Sequence, residues 1–224
     1  RRIDPEGIIQ SLPGTEDITD PIGLAMTLDG SLYISAKSRY VYQYTADGTL
    51  IEVAGGGSSF CEDCPAEQTL LDQPTGLAVA PDGTLFICDR TNHFVRKVDP
   101  NGIITTVVNS SRTSGYNGDN IPASEAQLNS PTFIALGPDG SLYISDSGNF
   151  RVRKVGTDGI ISTVAGNGME CTPPYDLCGS DGEPADQVSI KAPQGLAVGP
   201  DGSLFIKEGS SASVGSEVSG SIRR

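Results

Sequence analysis

One sequence unit occurs four times in this chain of 224 residues. Each unit begins with a proline followed by apolar residues, continues with an Asp-Gly pair and ends in a second apolar run. Asp-Gly between two apolar runs is a strong signal for a β-hairpin. The units recur every 53 to 62 residues, starting at Pro21, Pro74, Pro131 and Pro193. Repetition with such a period indicates a repeat architecture, and it constrains the fold more than any other feature of the sequence.

Two further strands follow the hairpin in the better preserved units. Apolar and basic residues alternate at 94–98 and at 151–155, a pattern typical of a strand with one wet face. The runs 103–108 and 160–165 supply a fourth strand in each unit. Four short antiparallel strands per unit describe a blade of a β-propeller, and no 3.6-residue period supports a helical repeat.

The sequence therefore predicts an all-β fold, a β-propeller of four-stranded antiparallel blades with four blades in one domain, 1–224. The blades are expected at about 13–54, 68–108, 125–165 and 187–224. Residues 1–12 repeat the pattern that begins at Arg96, so we expect them to supply an outer strand. The chain starts at Arg1 rather than at Met, from which we expect an excerpt or a processed product. The Ser/Gly-rich run 209–220 is expected to be mobile.

These motifs resemble those of NHL-repeat β-propellers. The resemblance is carried by Pro-x-Gly-Leu-Ala-Val at 74–79, Asp-Gly-x-Leu-Phe-Ile at 82–87 and Asn-x-x-Val-Arg-Lys-Val at 92–98. The linkers are similar to those of secreted and cell-surface members, and the loop 166–182 is similar to a loop of teneurin NHL domains. The resemblance implies a propeller of usually six blades, so it leaves the complete blade number open.

The charge of the chain excludes some partners. It carries 15 basic and 28 acidic residues, a net charge of −13, so we expect no nucleic acid partner. No stretch approaches the ~20 apolar residues of a membrane-spanning helix, so we expect no membrane insertion. Tryptophan is absent, which leaves few stacking platforms for sugars or bases. The expected partner is a protein, or another copy of this chain, bound through the inter-blade loops 55–67, 110–120 and 168–183.

Cysteines point to the compartment. Four of them, Cys61, Cys64, Cys171 and Cys178, lie in loops rich in Gly, Pro and acidic residues. We predict the local disulfides Cys61–Cys64 and Cys171–Cys178, and with them an extracellular or cell-surface location. Free thiols, cross-pairing and metal binding remain open as alternatives. Cys88 lies in an apolar run and is expected to be buried and free.

A sequon at Asn109-Ser110-Ser111 predicts an N-glycan at Asn109, in a polar loop that we expect to be exposed.

The sequence offers no catalytic set. His93 is the only histidine and is expected in a surface turn, so histidine metal sites and most hydrolytic triads lack parts. Acidic residues recur after the second strand, at Asp89, Asp146 and Glu208. They could bind calcium, but the first unit has Ala36 there, so we expect them to brace their own turns. The pairs Arg96-Lys97 and Arg153-Lys154 are expected to bind neighbouring acids rather than phosphate.

We therefore predict no catalytic residues, no metal ligands and no cofactor, and expect that the protein is not an enzyme. The predicted function is an extracellular NHL β-propeller that acts as a protein–protein interaction, adhesion or structural assembly module. The alternative is a metal-dependent lyase or hydrolase whose ligands lie in blades outside this chain. RNA binding in the cytoplasm is disfavoured by the charge and by the cysteines.

Overall fold

The structure, a computed structural model, describes residues 1–37, 39–171, 182–209 and 221–223. Its first strands, β1 (Arg2–Ile3) and β2 (Ile9–Gln10), pair with each other in a two-stranded sheet. The assignment of 1–12 as the outer strand of a blade therefore stays a prediction. No helix within these residues is long and apolar enough to cross a membrane.

Four larger antiparallel sheets follow in the described residues, each formed by strands that are consecutive in the chain. The first contains β3 (Pro21–Met26), β4 (Leu32–Ala36), β5 (Tyr40–Tyr44) and β6 (Leu50–Gly55). The second contains β7 (Cys64–Pro65), β8 (Pro74–Val79), β9 (Leu85–Asp89), β10 (Phe94–Val98) and β11 (Ile103–Val108). The third contains β12 (Ile121–Pro122), β13 (Pro131–Leu136), β14 (Leu142–Asp146), β15 (Arg151–Val155) and β16 (Ile160–Ala165). The fourth contains β17 (Pro193–Val198), β18 (Leu204–Glu208) and β19 (Ser221–Arg223). The predicted all-β fold of antiparallel sheets is confirmed.

The second and third sheets each have a short fifth strand that the sequence pattern did not predict. β7 pairs with β11 and β12 pairs with β16, so the linker ahead of a sheet runs along that sheet's outer edge. A single 3₁₀ turn follows each of them, at Ala66–Gln68 and at Ala123–Glu125. A third such turn, Ser147–Asn149, joins β14 to β15. The linkers are thus part of the sheets.

Asp-Gly turns close the predicted hairpins. In the second sheet the Asp82 carboxylate accepts the backbone amide of Thr84 at 2.9 Å, and Gly83 has a φ of 91°. That left-handed conformation suits glycine. Equivalent hydrogen bonds lower the pKa of the exposed turn carboxyl groups, such as Asp82 and Asp139.

Apolar residues from neighbouring sheets form three buried clusters, one at each junction. Every cluster contains a linker residue that stands three positions before the proline of the following inner strand. These residues are Leu71, Leu128 and Ile190, which are 0%, 0% and 2% exposed. We call them the wedge residues, because each fills the space between one sheet and the next. Cys88 is also buried at a junction and is free.

Glycine lets the inner strands approach each other closely. A Cβ atom at Gly76 would lie 2.5 Å from the Cα of Phe133 on the next inner strand, closer than atoms can pack. At the equivalent Gly195 the nearest atom to such a Cβ, the Cβ of Lys207, is 3.6 Å away. The backbone contact therefore forbids a side chain at Gly76 and leaves room for one at Gly195.

We expect Gly76→Ala to lower the free energy of unfolding by about 2 kcal/mol or more, because the strands must move apart to admit the methyl group. Gly195→Ala is the matched control and should change it by less than about 1 kcal/mol. Urea denaturation of both variants measures the difference. Equal effects of the two substitutions would contradict the close approach.

Candidate functional site

The candidate site is the surface formed by the linkers between successive sheets, residues 55–67, 110–120 and 168–183, which we call the linker surface. Residues 172–181 of the third linker lie outside the described part of the chain. A parallel backbone bridge of the same kind fixes each linker, between Ser59 and Thr69, between Ser114 and Leu128, and between Glu170 and Ile190. The three linkers therefore occupy equivalent places on successive sheets.

A buried arginine holds each of the first two linkers. The side chains of Arg96 on β10 and Arg153 on β15 are 0% exposed, whereas the alternating pattern predicted a strand with its basic residues on a wet face. That expectation is wrong for the arginines because the linkers cover them. Lys97, the next residue on β10, is exposed.

Three consecutive linker residues contact the Arg96 guanidinium. Its Nη2 donates to the Cys61 carbonyl at 2.8 Å and lies 3.3 Å from the Glu62 carboxylate. Its central carbon is 4.5 Å from the centroid of the Phe60 ring. The Glu62 carboxylate also accepts hydrogen bonds from the backbone amide and the hydroxyl of Thr106 on β11. An acid and a ring together tie the first linker to the second sheet.

Arg153 has the same arrangement in the third sheet. Its Nη2 donates to the Gly118 carbonyl at 2.8 Å and to the Asp119 carboxylate at 2.9 Å. The ring of Tyr116 lies 4.8 Å from its central carbon. Asp119 also accepts the hydroxyl of Thr163 at 3.0 Å, as Glu62 accepts that of Thr106. The expected pairing of these arginines with acids is present. Glu62 and Asp119 come from the linkers, and the Asp146 carboxylate on β14 lies 3.8 Å from Nη1 of Arg153.

The aromatic ring compensates for missing acceptors. The Nε and Nη1 atoms of both arginines are buried and have no hydrogen-bond partner among the described residues. A buried N–H group without an acceptor is costly, and the negative face of an aromatic ring beside the cation offsets part of that cost. The buried guanidinium groups therefore require the linkers, which supply their acceptors and the aromatic rings.

Buried carboxylates brace the turns beside the arginines. The Asp89 carboxylate accepts the backbone amide of Asp72 at 2.9 Å and the side-chain amide of Asn92 at 3.0 Å. Asp146 has equivalent bonds from Asn129 and Asn149, both at 2.7 Å. Burial raises the pKa of both Asp89 and Asp146 to about 7, against the hydrogen bonds and the nearby arginines, which lower it.

The third member of the predicted acidic set, Glu208, is buried on β18. Within residues 1–37, 39–171, 182–209 and 221–223, no three His, Cys, Asp or Glu side chains come together in a group that could hold a metal ion.

Two of the predicted disulfide cysteines form a bond within the first linker. Cys61 and Cys64 are joined, with their Cα atoms 6.1 Å apart. The bond encloses Glu62, the acid that contacts Arg96. Cys171 is also disulfide-bonded, and its predicted partner Cys178 lies outside the described residues.

His93 connects two sheets and is not simply a surface turn residue. Its Nδ1 accepts the backbone amide of Ser130 at 3.0 Å, across the second junction. Its side chain is half-buried, and burial lowers the pKa of its imidazole. The contact gives the only histidine a structural role.

Asn109 is not exposed, and the expectation of an exposed sequon is wrong. The residue is 0% exposed. Its Nδ2, the atom that would carry a glycan, donates to the carbonyls of His93 at 2.7 Å and Thr113 at 3.0 Å. Its side-chain oxygen accepts the hydroxyl of Ser111. A left-handed φ of 64° turns the side chain inward. The hydropathy of the sequence does not predict that backbone conformation.

Known proteins share these repeats. The family model of the teneurin NHL domain matches residues 54–115 and 109–156. Teneurin-3 of Mus musculus is 29% identical over 195 residues, and Teneurin-4 of Homo sapiens is 30% identical over 193. These alignments cover 69% and 68% of this chain and 7% of each teneurin. A chloroplastic protein of Arabidopsis thaliana, SUPPRESSOR OF QUENCHING 1, is 27% identical over 71% of this chain and 16% of its own.

Solved structures share the fold. A protein of unknown function from Bacteroides thetaiotaomicron superposes with a TM-score of 0.67 and 18% identity, over 87% of this chain and 46% of its own. A gluconolactonase of Xanthomonas campestris superposes with a TM-score of 0.58 and 18% identity, over 92% of this chain and 59% of its own. At this identity the likeness shows the fold alone.

Removal of the buried guanidinium is expected to cost stability. Arg96→Ala should lower the free energy of unfolding by roughly 2–4 kcal/mol, because it leaves a cavity beside Phe60 and removes the charge that holds Glu62. Lys97→Ala, the exposed neighbour, should change it by less than about 0.5 kcal/mol. Chemical denaturation of both variants tests this, and equal losses would contradict the buried role of Arg96.

Stability should depend on pH through Asp89. Its pKa is about 7 in the folded protein, above the ordinary value of 3.8, so between these values the folded state keeps a proton that the unfolded chain releases. The contribution of this carboxyl to stability is complete below about pH 4, falls as the pH rises and is lost above about pH 7. Asp89→Asn, which stays neutral, should flatten the fall of the unfolding free energy between about pH 4.5 and 7.5.

Asp63→Asn, which changes an exposed residue of the first linker, is the control for that experiment. Its unfolding free energy should fall with pH as steeply as that of the wild-type protein. An unchanged slope in Asp89→Asn as well would show that Asp89 does not carry the pH dependence.

Proposed function

Because the chain belongs to the NHL-repeat family, we propose that it is a protein-binding β-propeller segment of four blades. Its four larger sheets are the blades, and it acts outside the cell or at its surface, in adhesion or assembly, through the linker surface. The chain spans about 7% of the length of the teneurins that it matches, so the proposal concerns this module and not a whole protein.

The linker surface is acidic and its first two linkers are firmly held by the buried arginines, and this observation carries the proposal. Its three linkers contain eight acidic residues and one arginine. Glu62 and Asp119 are engaged with the buried arginines, but Asp63, Glu67 and Glu183 are exposed. Rigid loops lose little entropy on binding, and charges at an interface steer the encounter and select the partner. A basic protein surface is the complementary partner.

The disulfide supports the extracellular assignment. A disulfide in a small loop, such as Cys61–Cys64, persists in oxidising compartments and is rare in reducing ones. Cys171 is bonded as well, and only Cys88 is free among the cysteines of the described residues.

The titratable groups support binding rather than catalysis. Asp89 and Asp146 have strongly shifted pKa values, which can mark catalytic groups. Both carboxylates, however, are occupied by backbone and asparagine amides within their own sheets. His93 accepts a backbone amide from the next sheet. These contacts give each group a structural role.

The alternative function is a metal-dependent lyase or hydrolase whose ligands lie in blades outside this chain. The gluconolactonase has this fold, so the fold itself is compatible with an enzyme. Metal analysis separates the two functions only in a protein that contains those further blades, because the alternative places its ligands there and the binding module requires no metal.

The exposed acids provide the test of the proposal. The triple variant Asp63→Asn, Glu67→Gln, Glu183→Gln should fold normally, because these side chains are exposed. Binding of a fluorescent tetramer of the chain to intact cells should fall at least about threefold, and wild-type binding should weaken between about 50 and 300 mM salt. Flow cytometry measures the binding, and sedimentation measures self-association in parallel.

A matched control changes the same number of charges away from the linkers, with Glu6→Gln, Glu16→Gln and Glu52→Gln, all exposed. It should bind as the wild type does. If the two triple variants behave alike in both assays, the linker surface is not the binding site and the proposal is wrong.

A further inference from the structure

The first and third sheets have the same acidic turn with the same aromatic residue beside it. In the first sheet the Asp29 carboxylate accepts the backbone amide two residues later at 3.1 Å, and in the third sheet Asp139 does the same at 3.0 Å. Tyr33 and Tyr143 each stand four residues after the aspartate. Each tyrosine therefore lies on the second strand of its sheet, β4 or β14, at the same distance from the turn.

In the third sheet a lysine side chain lies beside both of these groups. Lys154 on β15 pairs with Tyr143 on β14. Its Nζ is 3.3 Å from the Asp139 carboxylate and 5.4 Å from the centroid of the Tyr143 ring. Hydrogen bonding to Tyr143 and to Asp139 raises the pKa of Lys154. A carboxylate and an aromatic ring thus hold an ammonium group at this place.

The first sheet has the carboxylate and the ring, but a glutamine stands in place of the lysine. Gln43 on β5 pairs with Tyr33 as Lys154 pairs with Tyr143. Within the described part of the chain, no lysine or arginine forms an ion pair with Asp29. Burial and the charge of Asp29 raise the pKa of the Tyr33 hydroxyl, so the two groups are close enough to interact. The first sheet therefore keeps the partners of an ammonium group without supplying the group.

An open cleft of about 470 Å³ gives access to these partners. Its walls are two consecutive sheets of this chain, and both Asp29 and Tyr33 line it. Asp82 stands on the wall formed by the second sheet, beside the half-buried Val79 and Ala80. A lysine side chain has an apolar stem and a charged head, so the cleft offers a matching surface to each part.

The cleft is negatively charged at neutral pH. A hydrogen bond from the Thr27 hydroxyl and one from a backbone amide lower the pKa of Asp29. The backbone amide of Thr84 lowers that of Asp82, and the nearby charge of Lys97 lowers it further. Both carboxyl groups are exposed and ionised. Since Lys97 partly balances Asp82, the carboxylate of Asp29 is the stronger attraction for a further cation.

We infer that the cleft between the first two sheets binds a lysine side chain of a partner protein. The ammonium group lies beside the Tyr33 ring and the Asp29 carboxylate, as that of Lys154 lies beside Tyr143 and Asp139, and the methylene chain packs along Val79. A primary ammonium group has N–H donors for both the hydroxyl and the carboxylate, whereas a quaternary ammonium group has none. The cleft opens between two exposed turns, where a side chain that projects from a protein surface can enter it.

This site is separate from the linker surface. The described residues that line the cleft include none of the linker residues, so its existence does not depend on the function proposed for that surface.

The two methionines of the chain allow binding to be measured by NMR. Met26 lines the cleft, whereas Met169 belongs to the third linker, so ¹³C-labelled methionine methyl groups give one signal at the site and one reference. The probe is Nα-acetyl-lysine amide, titrated into the tens of millimolar range at constant ionic strength. It should shift the Met26 signal saturably and leave that of Met169 unchanged. The Nε-acetylated form of the probe, which has no charge, should bind at least about tenfold more weakly.

Two variants locate the binding in the cleft. Gln43→Lys should weaken binding of the probe at least about fivefold, because the chain then supplies its own ammonium group as in the third sheet. Asp29→Asn should also weaken binding, because it removes the charge. Gln68→Lys adds the same charge as Gln43→Lys at an exposed position outside the cleft and should bind the probe as the wild type does.

Three results would overturn the inference. The first is the lack of a saturable shift of Met26 in the wild-type protein. The second is equal binding of the probe by Gln43→Lys and the wild type. The third is a shift of Met26 by choline or by calcium ions at the same or lower concentration, since the cleft would then bind cations without selecting a primary ammonium group.

Discussion

Every sheet of this protein has two faces, and neither can be buried by the sheet itself. A four-stranded sheet needs a neighbour on each side to remove its apolar residues from water. The three junction clusters, the wedge residues and the glycines of the inner strands all follow from this requirement. At the second junction Gly76 allows two backbones to touch, and Leu128 fills the gap that opens farther from them. Packing at one junction thus positions the sheet that takes part in the next junction.

The buried arginines place a similar requirement on the linkers, because a buried charge needs partners. The side chain of Arg96 is fully buried, so its charge must be met locally. The linker supplies a carbonyl, a carboxylate and an aromatic ring, and in doing so becomes part of the sheet. Replacing the linkers with short neutral segments would remove the hydrogen-bond acceptors and the aromatic rings that the guanidinium groups contact. The linker surface can therefore change only at residues that do not touch Arg96 or Arg153, such as Asp63 and Glu67.

The sequence predicts the strands well because their signals are local. Asp-Gly turns and two-residue alternation mark hairpins such as β8–β9 without any knowledge of their surroundings. Alternation also indicates which side of a strand is polar, but it cannot tell what covers that side. Alternation therefore predicts that Arg96 is exposed to solvent, and it does not predict that β7 pairs with β11. Asn109 is misjudged for a related reason, since its burial depends on contacts with His93 and Thr113 that composition does not encode. The sequence shows that the linkers are acidic, but it does not show how they are attached to the sheets.

The wedge residues have a consequence for how such chains can evolve. Leu71, Leu128 and Ile190 stand at the same distance from the proline of the strand that follows, although the units differ in length. Each stands at a fixed place ahead of its own unit, so a unit that is duplicated or lost by recombination takes its own wedge residue with it. The spacing between successive prolines differs through the segments ahead of the wedge. Surface loops can therefore lengthen or shorten between related proteins while the interlocking part of every unit stays constant.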